Sequence, residues 1–316
     1  MFDLVIVPLI FQFLAPVGLL AWLAYGRHRS RVALVLGMIL VAAYIETIAV
    51  AGLWLVLPSF LPAAYVVLIA VAFVRAWRRV PGVNTRLATS RVRVGIGVRS
   101  ALAALAIVLA IYALAGRRPP REPAIDLIFP LRGMGYSVVN GGSTQLVNAH
   151  RVTLIGERFR PYRGQSYAVD LVRLNRWGLR ASGFLPRAPG AYVIFGDSVF
   201  APCAGTVIEA VDGLPDMPPP TTDRKHMAGN HVLLDCGKAW VLVGHLREGS
   251  VRVRTGDRVQ SDDLLGAVGN SGNSGEPHLH IHAQRPGTKE APFSGDPLPI
   301  RFEGRDLVRN ALVGRT

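Results

Sequence analysis

The sequence has few charged residues and few cysteines for a chain of 316 residues, and its lysines stand only at 225, 238 and 289. Only 18% of the residues are charged and 50% are hydrophobic, a composition too apolar for a disordered chain and unusually apolar for a soluble one. The two cysteines, Cys203 and Cys236, exclude a disulfide-dense mini-scaffold and a four-cysteine zinc site. At roughly 100–200 residues per domain, the length indicates two domains.

Several catalytic motifs are also absent. The chain has no Walker loop and no H-E-x-x-H. The stretch Gly269-Asn-Ser-Gly-Asn273 misses the G-x-S-x-G of a serine hydrolase at its last position. A lipoyl- or biotinyl-type carrier domain would need a lysine at a hairpin tip, and none stands near the turn-like Gly256-Asp-Arg-Val259.

Acidic residues are scarce in the first third of the chain. Residues 1–116 contain two acids, Asp3 and Glu46, and ten arginines, whereas residues 117–316 contain the other 19 acids and seven of the eight histidines. We therefore divide the chain into a membrane domain (1–116), a Pro/Arg linker (117–124), a β domain (125–305) and a C-terminal tail (306–316). The chemistry is expected in the β domain.

Four apolar runs in the first part are each near the ~20 residues that a membrane-spanning helix needs. They predict an all-α membrane domain of four helices: Leu4–Tyr25, Val32–Leu57, Leu61–Trp77 and Val98–Ala115. A cleaved signal peptide is disfavoured because Met1-Phe2-Asp3 has no positive charge and the first run is too long. Glu46 lies mid-span, where an ionisable group indicates a function unless a neighbouring helix holds it, and we favour the second interpretation.

The arginines of the loops predict the orientation. The first loop contains Arg27, Arg29 and Arg31, the second (58–60) contains no charge, and the third, which includes Arg86, contains seven arginines. Because positive loops stay in the cytoplasm, the amino terminus and everything after Ala115 are expected outside, although Arg117, Arg118 and Arg121 oppose this. This predicts a multi-pass protein of the cell (inner) membrane with an extracytoplasmic or periplasmic β domain.

Short runs rich in β-branched residues, separated by Gly, Pro, Asn and Asp, predict an antiparallel all-β sandwich or barrel in the second part. The polar, Pro-rich stretch 214–229 is expected to be a long exposed loop within a hairpin. The predicted strands are Tyr192–Phe195, Thr206–Val211, His231–Asp235, Trp240–Val243, Val251–Arg254, Leu264–Val268 and Leu279–Ala283.

The strongest local signal is Pro277-His-Leu-His-Ile-His282. Side chains on a strand alternate between faces, so His278, His280 and His282 all point to one side. Either they form a row of solvated or hydrogen-bonded histidines, or they contribute to a zinc site, for which neutral imidazole is a common ligand. Further candidate ligands are His150, Asp170, His231 and His245.

Seven stretches in a fixed order resemble the lysostaphin-type (LytM-type) zinc metalloendopeptidases that cut peptidoglycan peptides. The resemblance implies an antiparallel sheet of the duplicated-hybrid-motif or barrel-sandwich type, bound Zn²⁺ and hydrolysis of peptide bonds in cell-wall peptidoglycan. The stretches are Tyr167-Ala-Val-Asp170, Ala201-Pro-Cys-Ala-Gly-Thr-Val207, Gly229-Asn-His-Val-Leu-Leu-Asp235, Gly244-His-Leu246, Val253-Arg-Thr-Gly-Asp-Arg-Val259, Gly266-Ala-Val-Gly-Asn-Ser-Gly272 and Pro277-His-Leu-His280.

The resemblance also implies roles for single residues. Asp170 and His280 match zinc ligands, while His245 and His278 match the histidines that contact the water and the transition state. The family's first ligand histidine lies four residues before the aspartate, where this chain has Ser166. His150 is our candidate for that ligand because Asn148-Ala-His150 resembles a branch that places the histidine farther upstream. His231, His282 or solvent remain the alternatives.

The same residues bear on partners and on redox state. Cys203 and Cys236 would lie nearly opposite each other if the flanking strands pair antiparallel, as a disulfide or as two buried thiols. Nucleic-acid binding is not expected, because much of the charge behind the isoelectric point of 10.7 is loop arginine. Residues 117–316 contain 25 lysines and arginines against 19 acids, which suits an anionic wall or bilayer surface. A non-catalytic wall-binding or regulatory protein on the same fold is the rival hypothesis, and protein partners cannot be predicted.

Overall fold

The computed structural model describes residues 6–80, 90–288, 291 and 293–315. The chain forms two compact units, Phe2–Ala115 and Gly116–Thr316. The first is helical and the second is built from short strands. Asp3, Arg86 and the Met1-Phe2-Asp3 stretch used above lie outside the described residues.

In the described residues of the helical unit there are four helices: α1 (Ile6–Tyr25), α2 (Arg31–Ala51), α3 (Leu61–Trp77) and α4 (Ser90–Ala115). Helix α2 begins where the Ser30 hydroxyl accepts a hydrogen bond from the Ala33 amide at 3.1 Å, which caps its first turn. Helix α3 begins beside Pro62, which suits a first turn because its missing N–H would have no helical partner there.

Three of these helices, not four, are long and apolar enough to cross a membrane: Ile6–Tyr25, Arg31–Ala51 and Arg93–Ala115. Helix α3 is apolar but has only 17 residues, because the chain turns before Leu61 and the helix ends at Trp77, ahead of Arg78 and Arg79. The prediction of four spans is therefore not confirmed. Glu46 is exposed on α2, so within this unit its side chain is not enclosed by neighbouring helices.

The second unit contains thirteen short strands among the described residues. They are β1 (Ile125–Leu127), β2 (Gly133–Asn140), β3 (Val169–Arg173), β4 (Ser198–Phe200), β5 (Gly205–Val211), β6 (Asn230–Asp235), β7 (Trp240–Leu246), β8 (Arg258–Val259), β9 (Leu264–Ala267), β10 (Leu279–Gln284), β11 (Pro297–Leu298), β12 (Ile300–Phe302) and β13 (Leu312–Arg315). Most belong to one antiparallel sheet in the order β13-β2-β3-β10-β7-β6-β5-β8, with β11 beside β10. Strands β4 and β9 form a second antiparallel pair, and β1 and β12 a parallel one.

Five of the seven predicted strands are present, as β5, β6, β7, β9 and β10. The stretch 192–195 is instead a turn, held by a hydrogen bond from the Phe195 amide to the Tyr192 carbonyl. The stretch 251–254 is not a strand because its amides are used separately: Val251 donates to the Asp212 carboxylate and Arg252 to the Leu265 carbonyl. The segment 306–316, expected to be a tail, includes β13, which pairs with β2.

The alternation of the strands separates the core of this unit from a polar face. On β10, Leu279, Ile281 and Ala283 belong to the apolar core, so His280 and His282 point to the opposite face. Val169 and Leu171 of β3 lie in the same core, which leaves Asp170 on the polar face. A disulfide links Cys203, just before β5, with Cys236, just after β6, at the same end of this antiparallel pair, with their Cα atoms 5.9 Å apart.

Candidate active site

Three neighbouring strands place the first site residues side by side. His280 on β10 is the direct cross-strand partner of Asp170 on β3 and of Gly244 on β7. His280 and Asp170 lie on the polar face of the sheet because core residues flank each of them on its own strand, and Gly244 follows the core residue Val243. A Cβ at Gly244 would lie 3.1 Å from Leu242 Cδ2 and 3.2 Å from the Ala228 carbonyl oxygen, so a side chain at this position would crowd its neighbours.

His245 reaches the same face through an unusual backbone conformation. Val241 and Val243 lie in the core, so regular alternation would turn His245 into the core as well. Instead His245 has φ of 59°, in the left-handed region that L residues seldom adopt. Its amide donates to the Ala228 carbonyl at 2.9 Å, and its carbonyl accepts from the Gly269 amide at 3.0 Å. These two bonds hold the reversal that brings the imidazole to the polar face.

His150 arrives from outside the sheet. It lies in the 3₁₀ helix Ala149–Leu154, whose start is capped by Asn148, the side-chain oxygen of which accepts from the His150 amide at 3.1 Å. The Asn148 amide group also donates to the Ala168 carbonyl at 3.0 Å, just before β3. The segment between His150 and Asp170 therefore folds back on itself and brings these two residues together, as a shared site requires.

His150, Asp170 and His280 bring three atoms that could bind a metal ion close together, and we call these three residues the donor group. His150 Nε2 lies 2.9 Å from Asp170 Oδ2, and His280 Nδ1 lies 2.9 Å from Asp170 Oδ1. One ligand atom from each residue falls within 4.8 Å of the other two. The same criterion, applied to the described residues, also groups His245, His278 and His280.

The rings of His245 and His278 stand next to this group, with their centroids 4.8 Å apart. His245 Nδ1 donates to the Ser271 carbonyl at 2.9 Å, and His278 Nδ1 donates to the Glu276 carbonyl at 2.8 Å. Because a carbonyl oxygen can only accept, each Nδ1 holds a proton, and in the neutral ring Nε2 is the free acceptor. His278 Nε2 lies 3.8 Å from Asp170 Oδ1, so the unprotonated nitrogen of His278 faces the donor group of His150, Asp170 and His280.

The electrostatics favour an ionised aspartate among mostly neutral imidazoles. Burial opposes the charge of Asp170, but the charges of His150 and His278 and the hydrogen bonds from His150 and His280 hold its pKa well below the usual value. Burial also lowers the pKa of His280, and burial together with the charges of His278 and His280 lowers that of His245 strongly. For His150, burial acts downward, but the Asp170 charge and hydrogen bond prevail and raise the pKa.

This donor set fits zinc. Two imidazole nitrogens and a carboxylate are ligands that zinc takes in catalytic sites, where a fourth position stays open. A buried carboxylate, 5% exposed, is stable only when a cation or several donors compensate it. In the metal-free protein His150 supplies that compensation, so metal binding would displace its proton.

Three further residues support these ligands from behind, and no sequence signal pointed to the first two. The Asn140 amide donates to Asp170 Oδ2 at 2.7 Å, and Arg309 donates to the Asn140 oxygen at 3.0 Å. Arg309 belongs to the segment 306–316, so the end of the chain contributes to this shell. His282 Nδ1 lies 3.0 Å from His280 Nε2, which puts the third histidine of the motif behind the second rather than at the donor group.

Two residues discussed in the sequence analysis lie apart from the donor group. His231 is buried, donates from Nδ1 to the Gly229 carbonyl at 2.7 Å and packs against Phe293, so it belongs to neither donor group. Ser166, which stands where the resembled family has its first ligand histidine, is buried and binds the Thr153 hydroxyl at 2.7 Å and the Arg163 carbonyl at 2.6 Å.

The donor group opens into a cavity of about 560 Å³. The 3₁₀ segment Glu157–Tyr167 contributes Arg158, Phe159 and Tyr162 to the lining of this cavity. The Pro-rich loop 214–229 contributes Met227 and Ala228 to the lining. This loop is held in place where the Met217 amide donates to the Asn270 carbonyl at 3.0 Å. The loop thus forms one wall of the site and does not project freely from the domain.

Comparison with known proteins identifies a family that matches part of the chain. Residues 192–292 match the family described as Peptidase family M23. The chain is 34% identical over 89 residues, 28% of its length, to Endolysin 2638A of Staphylococcus phage 2638A, and spans only 16% of that endolysin.

Two solved structures were also found to be similar. The catalytic domain of the antimicrobial peptidase lysostaphin from Staphylococcus simulans is 22% identical, with a TM-score of 0.26 and coverage of 40% of this chain and 71% of that one. A zinc-containing peptidase from Vibrio cholerae is 18% identical, with a TM-score of 0.27 and coverage of 51% and 37%.

The family match contains His245, His278 and His280 but begins after His150 and Asp170, so it carries no assignment for those two residues. It covers β4–β10 and the loops between them, which include the Gly269–Gly275 segment behind His245. Residues 192–292 of this chain are therefore a peptidase M23 domain.

Proposed function

We propose that this chain is a membrane-anchored zinc endopeptidase that hydrolyses peptide bonds of cell-wall peptidoglycan from the extracytoplasmic side of the membrane. The observation that carries the proposal is one cavity in which His150, Asp170 and His280 converge beside two imidazoles with free Nε2 atoms. A row of solvated histidines would not need carbonyl-bound Nδ1 atoms or a buried carboxylate.

His150 Nε2, the Asp170 carboxylate and His280 Nδ1 would hold the metal. Bound zinc supplies a Lewis acid and lowers the pKa of its water to about 7. Asn140 and His282 orient the ligands: Asn140 by donating to Asp170, and His282 through the contact between its Nδ1 and His280 Nε2.

His245 and His278 handle the protons. The depressed pKa of His245, caused chiefly by burial, keeps its ring neutral at physiological pH, so Nε2 can accept a proton from the attacking water. A protonated Nε2 then donates to the leaving amine, and N–H donors beside the scissile carbonyl stabilise the developing negative charge. The carbonyls of Ser271 and Glu276 fix both rings for these roles.

Features of both units support the proposed location. If α3 spans the membrane together with the three longer helices, the arginine-rich loops are cytoplasmic and the β domain is outside. The Cys203–Cys236 disulfide supports the outside location, because disulfides persist in oxidising compartments. The excess of basic residues in 117–316 suits the anionic wall.

Zinc content tests the proposal against the rival, a non-catalytic wall-binding or regulatory protein. Full-length protein purified in detergent should hold near-stoichiometric zinc, and Asp170→Ala should lose it. Asp223→Ala is the matched control, because Asp223 and His226 form another aspartate–histidine pair, at 2.6 Å, on the exposed loop outside the donor group. Wild-type protein that holds no zinc after zinc loading would favour the rival.

A further inference from the structure

A buried ion pair lies just outside the histidine cluster. Arg180 donates to both carboxylate oxygens of Glu276, from Nε at 2.6 Å and from Nη2 at 2.5 Å, in a bidentate arrangement. The Tyr192 hydroxyl donates to Glu276 Oε1 at 3.2 Å. The Arg180 side chain is only 5% exposed, so this contact is part of the interior of the domain.

The other end of Glu276 binds a site residue. Its backbone carbonyl accepts from His278 Nδ1 at 2.8 Å and from the Ser274 hydroxyl at 2.8 Å. The carbonyl and the carboxylate belong to one residue, so a clamp on the carboxylate restrains the peptide group that orients the His278 ring. The Ser274 hydroxyl also bonds to the Asn270 side chain at 2.7 Å, which ties the same peptide to the loop behind His245.

Arg180 is itself held by a folded-back segment. The Val193 amide donates to the Arg180 carbonyl at 3.0 Å and the Ser182 amide to the Ala191 carbonyl at 2.8 Å, so residues 180–193 form a small hairpin. Upstream, the Asn175 side chain accepts from the Trp177 amide at 2.9 Å and the Leu179 amide at 3.0 Å and closes a turn. The guanidinium is therefore presented from a fixed backbone.

A buried ion pair is weak evidence for stability, because the cost of removing two charges from water offsets most of their attraction. Its geometry therefore calls for another explanation. We infer that Arg180 and Glu276 are positioning residues for His278, which hold its Nδ1 on the Glu276 carbonyl so that Nε2 faces the donor group. The inference rests on the proposed function, because it assumes that His278 acts in turnover.

The chain offers a matched control. Arg173 donates to Asp197 at 3.2 Å and the Tyr136 hydroxyl donates to Asp197 at 3.0 Å, which is the same arginine–carboxylate–tyrosine arrangement without a bond to a site histidine. In zinc-loaded full-length protein, Arg180→Met should lower kcat roughly 10- to 100-fold, with KM and zinc content unchanged. Arg173→Met should leave kcat at the wild-type value. Equal losses of kcat in both variants would overturn the inference.

A double-mutant cycle separates positioning from general damage to the fold. If Arg180 acts through His278, adding Arg180→Met to His278→Ala should cause no further loss of kcat. The same loss in both backgrounds would contradict the inference. Should Arg180→Met not fold, Glu276→Gln replaces it in the cycle, because it keeps the size and the backbone carbonyl but loses the bidentate charge pair.

A readout independent of activity distinguishes failure of this inference from failure of the proposed function. NMR of ¹⁵N-histidine-labelled full-length protein should show a protected His278 Nδ1 proton in the wild type and in Arg173→Met, and its loss in Arg180→Met. If the wild type cleaves nothing, the proposed function fails while this comparison still decides whether Arg180 positions His278. An unchanged Nδ1 proton in Arg180→Met would overturn the inference.

Discussion

Asp170 and His280 are direct cross-strand partners on β3 and β10, with Asp170 Oδ1 2.9 Å from His280 Nδ1, although 110 positions separate them in the chain. Both side chains emerge on the polar face of the sheet because their strand neighbours fill the core. The register of two strands thus brings a carboxylate and an imidazole together, and His150 completes the group from a neighbouring 3₁₀ helix.

We predict that His150→Ala loses zinc as completely as His280→Ala, because each removes one of three donor atoms. Metal analysis of the purified full-length variants measures this. His231→Ala is the control, since His231 is a buried histidine whose bonds lie outside the group. If His150→Ala kept full zinc and activity, His150 would not be the first ligand, and His282 or solvent would have to replace it.

A second prediction separates metal binding from proton transfer. His245→Ala should keep most of the zinc but lose turnover by a factor on the order of 10²–10⁴, the contribution of a general acid or base. The reason is that His245 lies outside the His150–Asp170–His280 group, while its Nε2 is free. Zinc content and kcat of one preparation test both parts, and loss of zinc would reassign His245 as a ligand.

A third prediction concerns acid. The pKa values of His245, His280 and His282 are all lowered, in each case mainly by burial, whereas that of His150 is raised by Asp170 against its own burial. Below the ordinary histidine pKa of 6.5, the three histidines with lowered pKa values therefore bind protons in the unfolded chain but not in the native protein. His150, with its raised pKa, binds a proton in both states. The metal-free β domain should lose stability as pH falls from 6.5, and this loss continues when Asp170 protonates at lower pH.

The dependence of stability on pH is measured by thermal unfolding of metal-free full-length protein in detergent at several pH values, monitored through hydrogen exchange of the β10 amides. His245→Asn should flatten this dependence, because one suppressed titration is removed. A stability that rises as the pH falls below 6.5 would contradict this prediction, because His150, with its raised pKa, gains its stabilising proton above that pH.

Strand alternation made part of the site predictable. His278 and His280 stand two residues apart on a run of strand-forming residues, so their shared face followed from the period of two. The resemblance to a family then singled out Asp170, and the Asn148-Ala-His150 segment pointed to His150.

Other parts depended on contacts that no local pattern encodes. The left-handed backbone of His245 is imposed by bonds to Ala228 and Gly269, which come from distant loops. Asn140 reaches Asp170 because β2 pairs with β3, and Arg309 reaches Asn140 from the segment that leads into β13, the other partner of β2. The pairing of Arg180 with Glu276 joins positions 96 residues apart, and only the folded chain reveals it.

The orientation of the chain gives a fourth prediction. If the 17-residue helix α3 crosses the membrane, a reporter fused after Arg79 is cytoplasmic and one fused after Gly116 is extracytoplasmic. If α3 does not cross, only three spans remain, and with the first loop inside the two reporters exchange sides. The exchanged pattern would place the M23 domain away from the wall.

Analysis of the products released from purified peptidoglycan tests the central proposal most directly. Zinc-loaded full-length protein should release fragments with new peptide amino termini, identified by mass spectrometry, whereas a preparation of His280→Ala at the same concentration should release none. Wild-type protein that holds zinc and binds peptidoglycan yet produces no new amino terminus would contradict the assignment as an endopeptidase.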